Sequence, residues 1–560
     1  MRELAAGVGV ELPPLRVTGA DPVLPSVFRV GTAAAVTVGA VTATAAKLWG
    51  GAREAEVDVR EAAVAFRDER HFEIDGVAQG GWAPLSGDYR SADGWVRLHC
   101  NFDHHRDAAL VVLGLPLDAD RDAVARACAG REAVEIEEAV TAAGGCAAAM
   151  RSAAEWRTHP QGRALAGLPL VGVGRIDVAG RGPDHEGTGR PESGGGAERS
   201  DGGWSGRAGH GDEGTGRGRG DAGSVPGERD AGGVGRGSGD DEGPGRLWRG
   251  GEGLGRGAVG VERLGWGRGG DGGSVPGERD AGGVGRGKGG AGRSGWMERG
   301  GERMERGRPL GGLRVLDLTR VIAGPVATRT LAAHGAQVLR VGAGHLPEVP
   351  GVVIGTAFGK RSCHLDLRTP AGAAALRDLV AEADVFVQSY RPGALEALGF
   401  GPRELAAIRP GIVCVDVSAY GSHGPWAGRR GFDSLVQMVC GIAHEGGDGS
   451  RPLPLPAQVL DHATGYLAAF GAMAALLRRA AEGGSWRVEV SLARTALWLD
   501  SLGRVDGGDT PDPEVADLLR EMDSPFGRLT YVRPPGTIDG ASPYWASPPP
   551  GRGKHPPAWW

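Results

Sequence analysis

His99, Cys100, His104 and His105 crowd into the short stretch HCNFDHH, and such a group invites a metal. Their spacing fits no usual zinc pattern, and the stretch follows a strand end, so a solvated loop is expected there. The six cysteines, Cys100, Cys128, Cys146, Cys363, Cys414 and Cys440, are scattered without a CxxC pair. That suits reduced thiols better than a disulfide framework or a zinc site. Neither a GxxxxGK[ST] phosphate loop nor a strand-anchored GxGxxG occurs outside the Gly-rich middle, and the absence of GxSxG argues against a serine hydrolase. One carboxylate stands at the head of a long helical run, Asp461 in DHATGYLAAFGAMAALLRRA (461–480). Taken alone, an Asp there reads as an N-cap. His462 follows it directly, and adjacent residues diverge on a helix, so a structural role is expected for it.

The elements around Asp461 alternate. LRVLDL (313–318) reads as a buried strand, and the Ala-Gly-Pro beyond it turns the chain into a helix at 326–334. QVLRV (337–341), DVFVQ (384–388), IVCVDVS (412–418) and WRVEVSL (486–492) are further strand patterns. LRTPAGAAALRDLVAEA (367–383) is a helix between them, with Thr369 as its N-cap before Pro370. Such alternation predicts an α/β fold with a parallel sheet of Rossmann type. The first 180 residues carry a similar pair. FRVGTAAAVTVGAVTATAAKLW (28–49) is helical, and EVDVREAAVAF (56–66) follows the pattern of RVEVSLARTAL (487–497). Placing Gly39 on Gly471 sets Arg29 opposite Asp461, so this block reads as a partial copy without the carboxylate. DYRSADGWVRLHCNF (88–102) and the helical stretch 118–165 then predict a small α+β domain.

Residues 181–308 separate these blocks. They hold nearly half of the chain's 103 glycines, balance acid against base, and repeat SVPGERDAGGVGRG identically at 224–237 and 274–287. Lacking an apolar face to stack, the repeat predicts a long disordered linker rather than a solenoid. An RNA-binding arm of Arg-Gly type, with Trp204, Trp248, Trp266 and Trp296 for stacking, is the competing reading. The even charge balance speaks against it, because phosphate binding needs net positive charge. The expected division is therefore 1–180, 181–308 and 309–560. A formal net charge of −6 gives no global field for nucleic acid or an anionic membrane. The N-terminus lacks the pattern of a signal peptide, and the most apolar run, 31–46, reads as a buried helix. A cytoplasmic protein is expected.

The block from 309 resembles CoA-transferase family III, the CaiB/BaiF group. The resemblance rests on GGLRVLDLTRVIAGP (311–325), GKRSCHLDLRTPAG (359–372), ADVFVQSYRPGALEALGF (383–400), RPGIVCVDVSAYGSHGPWAGRRGFDSLVQMVCGI (409–442) and the helix from Asp461. DGWVRLHCNF and EWRTHPQGRAL (155–165) resemble the family's small domain and the segment after it, so the domain order is rearranged. The resemblance implies a CoA-transferase that moves CoA from an acyl-CoA thioester to a carboxylic acid. Asp461 would be its nucleophile, passing through a mixed anhydride and an aspartyl-CoA thioester. A helix N-terminus offers positive potential and free N–H groups to a developing oxyanion.

By the same resemblance Val321 and Ala323 meet the nucleotide after the first strand. Lys360, Arg361, Leu365 and Arg368 lie near adenine and ribose phosphate, Ser389 and Tyr390 precede the RPG turn, and Arg430 faces the pantetheine phosphates. No permanent cofactor is implied; CoA and acyl-CoA are substrates, and the partners are small molecules and a second copy in a homodimer. Gly342, Ala357, Phe358 and Ser389 depart from the family pattern. So does Phe432, which stands where racemases of the group carry a histidine and disfavours racemisation. Asp433 beside it supports the site. An acyl-CoA-binding protein without turnover, and a racemase, stay open as alternatives.

Overall fold

The computed structural model describes residues 1–79, 81–177 and 307–560. The expected linker, with its repeats and tryptophans, lies outside them except for its last two residues. The described residues all fall within one compact unit.

A helix of small and β-branched residues, α1 (Val30–Trp49), leads into strand β1 (Ala55–Asp58) and helix α2 (Val59–Ala65). Further on, β2 (Gly172–Arg175) ends the N-terminal block. The second block supplies β3 (Arg314–Leu318), α3 (Ala323–Ala333), β4 (Gln337–Gly342), β5 (Lys360–His364), α4 (Pro370–Glu382), β6 (Val385–Gln388) and β7 (Val413–Ser418). Then come α5 (Asp433–Val439), α6 (Val459–Glu482), β8 (Trp486–Ser491) and α7 (Leu492–Ser501). Seven strands form one sheet in the order β5-β4-β3-β6-β7-β8-β2. All pairs are parallel except β8 with β2, where Trp486 faces Arg175. The order reverses between β3 and β6, and in open α/β sheets ligands bind beyond the strand ends at such a reversal.

Thr369 caps α4 through its hydroxyl, which accepts from the Gly372 N–H at 3.1 Å. Helix α6 is buried on all sides from Val459 to Leu476, which requires small residues where neighbours cross. At Gly465 an added Cβ would stand 2.6 Å from the Ala323 carbonyl oxygen and 2.9 Å from Val326. Gly465→Ala therefore has to push α6 off α3. A loss of about 1–3 kcal/mol is expected in chemical unfolding, as for other overpacked cores; an unchanged midpoint would show that the crossing is slack.

The two helix–strand pairs share a contact. Gly39 on α1 sits against Val57 of β1, and Gly471 on α6 sits against Val488 of β8. Both α1 and α6 are long and apolar enough to cross a membrane by length and composition. Here 83% and 100% of their apolar windows are buried inside the protein.

The small domain is an antiparallel sheet of Gly87–Arg90, Trp95–Leu98 and Ala147–Ala149, covered by helices Asp103–Val112, Arg121–Ala129 and Ala133–Ala142 around its own core. The HCNFDHH stretch departs from the solvated loop expected for it. His99 and His105 are each only 4% exposed, and the His99 ring lies 3.7 Å from that of Phe432, nearly parallel to it. Aromatic stacking against the second block has drawn these histidines inside.

Beyond residue 500 the chain does not trail away. Leu519–Ser524 and Gly527–Val532 form a hairpin that pairs with Glu73–Ile74 of the first block. Trp545 then buries against Phe358, ring centres 4.8 Å apart, and donates to the Arg329 carbonyl. The last residues run along the free edge of β5, where the His555 N–H donates to the Ser362 carbonyl at 2.8 Å.

Candidate active site

Asp461 is the third residue of α6, not its cap; Gln458 holds the cap position. Its side chain is buried, and the Ala323 main chain, at the start of α3, reaches its carboxyl. Its own N–H donates to Asp433 Oδ2 at 2.8 Å. Gln437 holds the other Asp433 oxygen at 2.5 Å, one turn along α5. Three helices, α3, α5 and α6, thus converge on one carboxyl group.

The N-terminal block adds a fourth element. Glu69, in the short turn after α2, accepts from the His462 ring at 3.1 Å. Asp68 beside it pairs with Arg329 of α3 at 2.5 Å. His462 thereby ties the two blocks together. Asp68, Glu69 and His462 gather closely enough to surround a cation. The Arg329 and His462 pairings already satisfy the two carboxylates, so the group reads as an ion-pair network.

Burial raises the Asp461 carboxyl well above the ordinary range, and the charges of Asp433 and Glu69 add to it. Burial also lifts Asp433, to about 6, against the hydrogen bonds that stabilise its anion. Burial works to raise Glu69 as well, but the His462 hydrogen bond and charge prevail and its pKa falls. The result is a set of carboxyls in which Glu69 ionises first while Asp433 and Asp461 hold their protons beyond the ordinary range.

The expected nucleotide residues fall into distinct places. Val321 has φ 68°, a left-handed conformation unfavourable for a β-branched residue, in the turn leading to Ala323. Ser389 holds the same turn, its hydroxyl accepting from the Arg320 N–H at 3.1 Å. Val321, Ala323 and Ser389 therefore meet at the β3–β6 reversal, next to Asp461. Leu365 and the exposed Arg368 lie at the end of β5, with Arg368 held by Asp366. Arg361 stacks over Trp560, 4.3 Å from its ring centre.

Lys360 is 2% exposed and spends its three hydrogens on Asp317 at 2.9 Å, the Pro325 carbonyl at 3.0 Å and Thr328 at 2.7 Å. A phosphate contact would require breaking that set. Arg430 donates to the Gly144 carbonyl of the small domain. Tyr390 lines a cavity of about 140 Å³ with Gln388, Asp416, Ser422, Arg487 and Glu489, and Asp461 does not line it. Reasoning from sequence missed Glu69. It lies 393 positions from His462, so no local pattern could have found it.

Residues 310–505 match the model of CoA-transferase family III. This part of the chain is similar to that family. Similar curated proteins include the acetyl-coenzyme A transferase nodX of Hypoxylon pulicicidum, 36% identical over 40% of this chain and 40% of its own. The succinyl-CoA:glutarate CoA-transferase of Homo sapiens is 35% identical over 33% of this chain and 45% of its own. The probable fatty acyl-CoA transferase Rv3272 of Mycobacterium tuberculosis is 34% identical over 37% of this chain and 58% of its own. The chain thus spans about half the length of the relatives it matches. The family III match covers β3 through α7 and so includes Asp433 and Asp461, whereas Glu69 and the small-domain histidines lie outside it.

Proposed function

We propose that this protein is a CoA-transferase that moves CoA from an acyl-CoA thioester to a carboxylic acid, with Asp461 as nucleophile. The observation that carries this reading is the placement of one buried carboxyl at the meeting of two helix N-termini, within the family III segment. The sheet is read as Rossmann-like, since β3 to β8 follow the order 3-2-1-4-5-6 when numbered from β3.

Ionised Asp461 attacks the thioester carbonyl. The C–S bond breaks, CoA leaves as thiolate, and an acyl–aspartyl anhydride remains. The thiolate then attacks the aspartyl carbonyl, releasing the donor's carboxylate and leaving an aspartyl-CoA thioester. The acceptor carboxylate attacks that thioester, and returning thiolate takes the new acyl group, freeing Asp461. A carboxylate suits this relay because each acylated form is itself reactive. The Ala323 main chain at the start of α3 reaches the Asp461 carboxyl and is the donor placed to meet an oxygen on which charge develops there.

Hydroxylamine or borohydride trapping during incubation with a panel of acyl-CoAs, read by peptide mass spectrometry, tests the mechanism. Modification confined to the peptide containing Asp461 is expected. CoA exchange with no modification of that peptide would rule out the covalent route.

The pH profile provides a second check. Only ionised Asp461 attacks, and its pKa is raised, so the rate rises with pH above the ordinary carboxylate range. An acid limb of kcat at the value of an exposed Asp would contradict the graded carboxyl cluster of Asp461, Asp433 and Glu69.

A further inference from the structure

We propose that Arg552 and Lys554, on the tail strapped along β5, bind the phosphates at the adenosine end of the CoA substrate. This rests on the transferase reading and adds residues from outside the family III segment.

Three successive turns leave the sheet at the ends of β3, β4 and β5. The first carries Ala323 beside Asp461. The second begins at Gly342 and includes Gly344 and His345. The third carries His364, Leu365 and Arg368. On the transferase reading, an extended substrate whose thioester lies at Asp461 would run toward the second and third turns.

The tail is fixed at that far end on both sides. The Gly553 N–H donates to the Ser362 hydroxyl at 3.1 Å, and the Ser362 N–H donates to His555 Nδ1 at 3.2 Å. Arg552 donates to the Leu346 carbonyl at 3.2 Å, bridging to the second turn. Gly553 beside it packs on His364, where an added Cβ would stand 2.6 Å from the ring. Arg552, Lys554, His364, His345 and Arg368 are all exposed here.

The charges do not balance. Of the nearby acids, Asp366 is engaged by Arg368, and Glu348 is held by Arg340 at 2.5 Å with Arg320 beside it. Neither is paired with Arg552 or Lys554. The crowding of cations is felt locally: burial, then Arg552 and Arg340, lower the His364 pKa. Arg552 and Lys554 are thus exposed cations with no counter-anion among the described residues, which suits a phosphate dianion, and Arg supplies the planar donor set for it. Surface Arg and Lys are usually just solvated, but these two are held in place by main-chain bonds.

Calorimetric titration of the full chain decides the matter, with CoA and 4′-phosphopantetheine as ligands and wild type compared with R552E/K554E. Charge reversal is expected to weaken CoA binding about tenfold or more while leaving 4′-phosphopantetheine binding and the thermal midpoint unchanged. Equal CoA affinity in the two proteins would overturn the proposal, as would failure of the wild type to bind 3′,5′-ADP. Wild type that binds 3′,5′-ADP with loss of binding in the variant, yet transfers no CoA, would support the phosphate site while sinking the transferase reading.

Discussion

Asp461→Asn should abolish CoA transfer and stabilise the protein at neutral pH. The amide keeps the shape of the side chain, so α3, α5 and α6 can stay where they are, but it cannot form the anhydride. A fall in turnover of at least about a thousandfold is expected, as when other covalent nucleophiles are removed. The stability effect has the opposite sign. A carboxyl whose folded pKa lies above its unfolded value contributes stability below the unfolded pKa and loses it as pH rises through the folded one. Burial and the charges of Asp433 and Glu69 place Asp461 in that class. The amide carries no charge to bury, so its advantage should grow from acid toward neutral pH and vanish below the ordinary carboxylate range. Parallel urea titrations of both proteins across that range, with initial-rate assays, would test both halves. A variant as active as wild type would remove Asp461 from the chemistry. A variant less stable at every pH would show that the carboxyl is structural.

Lys360→Met is expected to act on stability first. The side chains of the lysine and Asp317 are 1% and 0% exposed, so removing the cation strands a buried carboxylate that keeps only its threonine partners. Losses of about 3–5 kcal/mol follow from breaking such pairs on one side only. Burial holds Lys360 down to about 8 despite its partner, which shows how dry the site is. Asp317→Asn in the same chain should restore most of the loss, because both threonines can still bond the amide. If Lys360→Met instead leaves the unfolding midpoint in place and raises KM for acyl-CoA, the lysine reaches a phosphate during turnover. A loss under about 1 kcal/mol with no change in KM would leave both roles empty. The pair also matters for the site, since Thr319, bonded to Asp317, opens the turn that carries Val321 and Ala323.

The sequence patterns locate the strands of the second block because each is a short β-branched run between turn residues. Thr369, Asp461 and the paired helices are legible for the same reason: their signals lie within a few residues. The hidden features depend on partners far along the chain. β2 reads GVGR, too short and glycine-rich to announce a strand, and it exists because β8 offers it an edge. Trp545 and the tail look like a proline-rich end, yet their positions come from Phe358 and Ser362. The histidines of HCNFDHH read as solvated because nothing local shows Phe432 waiting across the interface.

The mixed origin of the central sheet bears on how the chain comes off the ribosome. Its last strand, β2, and the apolar helix α1 are made before residue 178, but their partners β8 and α6 follow only after residue 458. Until then the 20-residue apolar helix has only elements of its own block, such as β1 and α2, to lie against, and β2 has no sheet to join. Domain-by-domain folding during synthesis is therefore closed to the first block, apart from the small domain with its separate core. Slowing the ribosome between the blocks is therefore expected to lower the yield of folded protein, measured as soluble protein per transcript.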